Sequence, residues 1–188
     1  LYLALTAPHT PTSPGRAWLG KSKLGVYGDF VMEVDSAVAR VLGALKKRGM
    51  YENTLVLFAS DHGPASYAGN ILKATPGQIR LLEKKGHYSS GPHRGYKFSV
   101  YEGGLRVPLI AHWPGNIKAG GTNNALVGLC DLMATFAKLS GAKLTPQQAP
   151  DSISFAPLLK NPKAKGAREN LVMQSIGPFV VREGDWKL

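Results

Sequence analysis

The sequence predicts an α/β fold, a mostly parallel sheet flanked by helices, with a small β-rich region starting near its end. Three observations carry that expectation. Residues 55–59 (Leu-Val-Leu-Phe-Ala) form a short continuous apolar run of the kind that suits a strand buried on both faces. Residues 25–49 carry the strongest helical periodicity, with Val26, Phe30, Val31, Val34, Val38, Val41, Leu42 and Leu45 recurring at three and four. A further apolar run, residues 1–7, precedes that helix. Strand, helix, strand is the rhythm of a parallel sheet.

The chain has 188 residues, enough for one domain with a sizeable core, and an ordinary hydrophobic fraction of 44%. It contains no run of 18 apolar residues, so no transmembrane helix is implied. Its one cysteine, Cys130, excludes an internal disulfide and a cysteine-rich zinc site. The apolar neighbours of Cys130 predict a buried thiol. The formal net charge of +11 suits a solvated basic surface or a site for anions such as sulfate esters. No helix-turn-helix, RNA-binding or zinc-finger pattern is present, so nucleic acid is not the expected partner.

Taken in order, residues 1–7 read as a buried strand that exits at Pro8-His9-Thr10-Pro11, where two prolines forbid a helix. The chain is expected to begin inside a folded element, so any signal peptide would lie upstream. Residues 12–23 are loop. The helix that follows closes with Lys46, Lys47, Arg48 and Gly49, as its dipole and a C-terminal glycine favour. The strand at 55–59 runs into Ser60-Asp61-His62-Gly63, and an open α/β sheet places its chemistry at such strand ends. Residues 76–85 hold a short helix through Ile79 and Leu82. Residues 109–113 form a second strand, and residues 125–129 a short strand or a helix start. Residues 131–139 form an amphipathic helix ending at Gly141. Residues 160–168, with Lys160, Lys163, Lys165 and Arg168 among Pro, Gly and Ala, read as an exposed loop. Residues 171–174 and 179–182 form two strands joined by a turn. The expected division is residues 1–145 and residues 146–188.

Ser60-Asp61-His62-Gly63, then Gly95-Tyr96-Lys97, then Tyr101-Glu102-Gly103-Gly104-Leu105-Arg106-Val107-Pro108, then Trp113-Pro114-Gly115, form an ordered series. Asp131-Leu132-Met133-Ala134-Thr135 follows it. The series resembles the metal-site and substrate-lysine region of the sulfatase family, and the resemblance runs over nearly the whole chain. It covers only the second half of a typical member. It implies part of an alkaline-phosphatase-like sandwich and the start of a C-terminal β-rich subdomain.

The resemblance implies four site residues. Asp61 and His62 stand where the family binds a divalent metal, chiefly calcium. Most members carry Asn at the second position and a minority His, which would allow a softer ion such as manganese. Lys97, four residues before Tyr101, matches the substrate-binding lysine. His9 matches a histidine that binds sulfate or protonates the leaving group. For each residue the alternative is structural: a turn at Asp61-His62-Gly63, a solvated Lys97, a His9 pinned between prolines. His93 and Arg94 add positive potential but carry no family role. Gly103 and Gly104 are read as a tight turn and Arg106 as half of a buried ion pair.

The family's nucleophile is a formylglycine made from Cys or Ser in Cys/Ser-x-Pro/Ala-x-Arg. Cys130-Asp131-Leu132-Met133-Ala134 does not fit, and Thr12-Ser13-Pro14-Gly15-Arg16 has Thr at the key place. The formylglycine and the remaining metal ligands are expected upstream. The sequence thus implies part of a sulfuric ester hydrolase, inactive alone, acting on a small sulfate ester or sulfated sugar, with export from the cytoplasm suggested by the family. The alternatives are a phosphoester or phosphonate hydrolase of the same superfamily, and a non-catalytic fragment binding sulfated polysaccharide.

Overall fold

The structure is a computed structural model that describes residues 1–68 and 78–188. It divides into two compact units, one of Leu1–Tyr51 and His62–Val107, the other of Glu52–Asp61 and Pro108–Leu188.

The first unit is built on helix α1, Gly25–Lys47. Its C-terminus is closed by Gly49 at φ +67°, with Gly49 N–H on Lys46 O at 3.1 Å and Met50 N–H on Leu45 O at 2.9 Å. This pair of bonds satisfies carbonyls that the last turn would otherwise leave open. The N-terminus has no capping side chain of its own. Instead the Gln78 amide oxygen accepts the Tyr27 N–H at 2.8 Å. A Cβ on Gly25 would meet Gln78 Nε2 at 2.2 Å, so only glycine leaves room for that amide. The basic loop before α1 is fastened to it by carboxylates. Asp29, 2% exposed, accepts Gly20 N–H at 2.8 Å and Ser22 N–H at 2.7 Å, and Glu33 accepts Gly15 N–H at 2.9 Å. The Ser22 and Gly20 N–H groups hold the Asp29 carboxyl below the usual range, against the opposing effect of burial.

Helix α2, Gln78–Glu83, buries Ile79 and Leu82. The expected helix over 76–85 is therefore found in its central part; residues 76 and 77 lie outside the described residues. Helix α3 is the single turn Glu102–Leu105. Residues 1–7 form no strand among the described residues, contrary to expectation. Leu1, Tyr2, Leu3 and Leu5 are exposed, and an apolar run alone does not supply the ladder partner a strand requires.

In the second unit, strands β1, Val56–Ala59, and β2, Leu109–His112, pair antiparallel with Val56 opposite His112 and Ala59 opposite Leu109. Both expected strands form. β1 is half-buried rather than covered on both faces. Helix α4, Leu132–Ser140, ends at Gly141 with φ +75°. Helix α5, Ala156–Lys160, has Pro157 in its first turn, where a missing N–H costs nothing. Strands β3, Asn170–Gln174, β4, Phe179–Glu183, and β5, Trp186–Lys187, make an antiparallel meander.

Asp131 organises this unit. It is 1% exposed and lies in a 3₁₀ turn, Leu129–Asp131, directly ahead of α4, at the start of the helix expected over residues 131–139. Its carboxylate accepts Gly128 N–H at 2.8 Å, Ile153 N–H at 2.9 Å and Arg168 Nε–H at 2.9 Å, and Arg168 Nη2 closes the second arm. Arg168 Nη2 also donates to Asp151 O at 2.6 Å. Arg168 was expected in an exposed basic loop. Lys160, Lys163 and Lys165 are exposed as expected, but the Arg168 side chain is only 9% exposed. Cys130 next door is exposed, correcting the expected buried thiol: the turn points Asp131 inward and its neighbour out.

Candidate active site

The Ser60-Asp61-His62-Gly63 segment follows β1 at its carboxyl end, as expected. Asp61 is exposed and His62 half-buried. His62 Nδ1 lies 2.8 Å from Gly63 O. A carbonyl only accepts, so Nδ1 donates the hydrogen of this bond. Asp61 and His62 bring one oxygen-bearing and one nitrogen-bearing side chain to the segment that follows β1. Among the described residues no group of three or more His, Cys, Asp or Glu side chains converges.

The first unit ties His62 to Lys97 through backbone. Gly63 N–H donates to Gly104 O at 2.9 Å, Lys97 N–H to Pro64 O at 2.9 Å, and Gly103 N–H to Arg94 O at 2.7 Å. Three chain segments, 62–64, 94–99 and 102–105, thus stack main chain on main chain. The glycines make this possible. A Cβ on Gly63 would stand 1.8 Å from Gly103 O, one on Gly103 2.2 Å from Gly95 O, and one on Gly104 2.4 Å from Tyr96 O. The expected tight turn of Gly103-Gly104 is instead a helical turn, and neither glycine has a positive φ; closeness, not turn geometry, requires them. Arg106 is a second correction. It meets Glu102 at 3.8 Å, but with 57% of its side chain exposed the pair is not buried.

Lys97 is half-buried, with Nζ 5.1 Å from the centre of the Phe98 ring. Phe98 has φ +74°, uncommon for a residue with a Cβ, and its ring stacks on Tyr67 at 6.3 Å. Nothing in the sequence signals that strained backbone. His9 sits in a turn closed by its N–H on Thr6 O at 3.0 Å, and its Nδ1 lies 2.6 Å from Thr10 O. The same argument as for His62 leaves Nε2 of His9 facing away from that bond. The structure therefore links His62 with Lys97, while His9 is held by its own turn. Both prolines beside His9 follow cis peptide bonds.

The sulfatase family profile matches residues 1–142. The chain belongs to the sulfatase family. Human arylsulfatase D is 36% identical over 171 residues, 91% of this chain and 27% of that protein. An N-acetylgalactosamine-6-O-sulfatase of Bacteroides thetaiotaomicron is 32% identical over 189 aligned positions, covering 100% of this chain and 35% of that protein. A solved sulfatase structure from work on glycosaminoglycan metabolism in the same bacterium superimposes with a TM-score of 0.85 at 31% identity, over 96% of this chain and 36% of that one. This sulfatase chain therefore has the alkaline-phosphatase-like α/β fold and spans about a third of the length of its curated relatives.

Proposed function

We propose that these residues supply part of the active site of a sulfuric ester hydrolase that acts on aryl or sugar sulfates. The observation that carries the reading is the Lys97 N–H to Pro64 O bond, which fixes the lysine loop against the turn bearing His62. Lys97 pairs as a point charge with an oxygen of the sulfate. His9, its Nδ1 proton engaged by Thr10 O, presents Nε2 to bind sulfate or protonate the departing oxygen. Asp61 and His62 supply one oxygen and one nitrogen to a divalent cation, calcium or, with an imidazole ligand, manganese. When bound, the cation draws off charge that develops on the sulfuryl group. The sugar-sulfate reading draws support from the relative named an N-acetylgalactosamine-6-O-sulfatase.

Ser90-Gly91-Pro92-His93-Arg94 has the letters of Cys/Ser-x-Pro/Ala-x-Arg, but it follows Asp61-His62 in the chain, whereas the family's formylglycine is expected upstream of them; this stretch alone is proposed to be inactive. The test uses the full protein and 4-nitrophenyl sulfate. Chelation should abolish turnover, calcium or manganese should restore it, and Asp61→Asn should lower kcat/KM by at least about a hundredfold. Turnover indifferent to chelation and to Asp61→Asn would overturn the assignment.

A further inference from the structure

The first unit contains a concave site of about 300 Å³ that the four site residues do not use. Arg80, Glu83, Tyr88, His93, Arg94 and Tyr96 line it. The volume lies at the small end of ligand clefts, roughly 300–1,000 Å³, the scale of one sugar ring. Tyr96, in the lining of the cleft, is one residue before Lys97 in the chain.

Its charge is positive and its cations are held ready. Arg94 lies over the Tyr101 ring at 4.0 Å, and Arg80 over the Tyr96 ring at 4.4 Å. A guanidinium stacked on a ring keeps its in-plane N–H edge for an oxyanion, and its orientation is already set. Among the described residues no carboxylate pairs with Arg94. Glu83, the one acid in the cleft, is already engaged: Tyr96 O–H donates to both of its oxygens, and Arg80 Nη1 lies 3.8 Å away. Burial, with the Glu83 carboxylate beside it, pushes the Tyr96 phenol up, so it stays a donor to Glu83. Two arginines thus line the cleft with one carboxylate that is already engaged. At the rim Tyr88 is 61% exposed, an aromatic face suited to the apolar side of a pyranose.

We propose that this cleft is a subsite for an anionic sugar ring, one bearing a second sulfate or a carboxylate, belonging to the leaving-group side of the ester held at Lys97. Arg94 and Arg80 take the second anion and Tyr88 packs on the ring. The proposal rests on the sulfatase reading for the role of Lys97, but the cleft's affinity is measurable without turnover.

The experiment titrates the full protein with chondroitin 6-sulfate disaccharide, which carries a sulfate and a uronate, and with its desulfated, carboxyl-reduced counterpart. Each is followed by calorimetry at 50 mM and 300 mM salt. We expect the charged disaccharide to bind more tightly than the neutral one, with affinity falling at high salt. Arg94→Gln and Tyr88→Ala should each weaken it at least tenfold, while in Tyr88→Ala kcat/KM for the sugar-free 4-nitrophenyl sulfate stays within twofold of wild type. Tyr88→Ala alters only an exposed side chain, so it keeps the test valid if Arg94→Gln fails to fold. Equal affinity for both disaccharides, or affinity unchanged in the variants, would overturn the proposal. Should wild type fail to turn over the aryl sulfate, the catalytic reading falls while the affinity losses still decide the cleft.

Discussion

Gly63 is the tightest point of the stack that carries His62 and Lys97, and replacing it with alanine tests that stack directly. The added Cβ would stand 1.8 Å from Gly103 O, 2.8 Å from Gly103 C and 3.0 Å from Gly104 Cα. These are backbone atoms, so no side chain can swing aside. Real Cβ contacts stop near 3.0 Å, so the 62–64 turn and the 103–104 turn must part by about 1.2 Å, the gap between that limit and 1.8 Å. Overpacking of this kind costs about 1–3 kcal/mol. The same movement strains the Gly63 to Gly104 hydrogen bond and shifts Pro64, on which the Lys97 N–H rests. A misplacement of about 1 Å in a positioning element costs on the order of a hundredfold in rate. In the full protein, Gly63→Ala should lower kcat/KM for 4-nitrophenyl sulfate by about a hundredfold and the urea midpoint by the equivalent of about 1–3 kcal/mol. Gly43→Ala is the control. It lies in α1 with nothing within 4 Å of the added Cβ, so it should stabilise by up to about 1 kcal/mol and leave activity alone. A Gly63→Ala enzyme with wild-type activity and stability would refute the argument that main-chain contact sets the site.

Further expectations concern the second unit and pH. Asp131→Asn should destabilise near the lower end of about 3–5 kcal/mol, because it leaves the Arg168 guanidinium, 9% exposed, without its carboxylate; chemical denaturation reads this, and loss under 1 kcal/mol would contradict the buried-pair account. Burial by itself would raise the Asp131 carboxyl, but the Arg168 hydrogen bonds and the Gly128 and Ile153 N–H groups outweigh it and hold the group below its ordinary value; Asp29 is held down by Ser22 and Gly20. A depressed carboxyl contributes stability that is fully present above its unfolded value, about 3.9, and is lost as pH falls through the lower folded value. The melting temperature should therefore fall only below about pH 4, and Asp131→Asn should flatten that fall; a stability drop centred between pH 5 and 7 would point to other groups. Gln78→Ala removes the acceptor of the Tyr27 N–H and should cost about 1 kcal/mol, seen as a lower melting temperature.

Local features were legible and long-range ones were not. The α1 helix followed from its apolar spacing, its last-turn lysines and Gly49, all of which act within a few residues. The β3–β4 hairpin followed for the same reason. The antiparallel pairing of β1 with β2 joins residues some fifty positions apart, about the distance from Ala59 to Leu109, which periodicity does not encode. The four candidate site residues rest on a family resemblance, and backbone hydrogen bonds link the segments of two of them, His62 and Lys97. The stacking role of Gly63, Gly103 and Gly104 was hidden because a glycine needed for closeness looks, in sequence, like a glycine needed for a turn. Arg168 was hidden because its carboxylate, Asp131, lies 37 residues away. Arg94 and Tyr101, seven positions apart, gave no sign of the ring contact that orients the guanidinium.

The central claim, that Lys97 on its fastened loop recognises a sulfate ester, is tested most directly by comparing 4-nitrophenyl sulfate with 4-nitrophenyl phosphate as substrates of the full protein, in wild type and Lys97→Ala. The account predicts preference for the sulfate in wild type and a loss of at least about a hundredfold in kcat/KM for it in the variant. A protein that prefers the phosphate, and whose turnover is indifferent to Lys97→Ala, would contradict it.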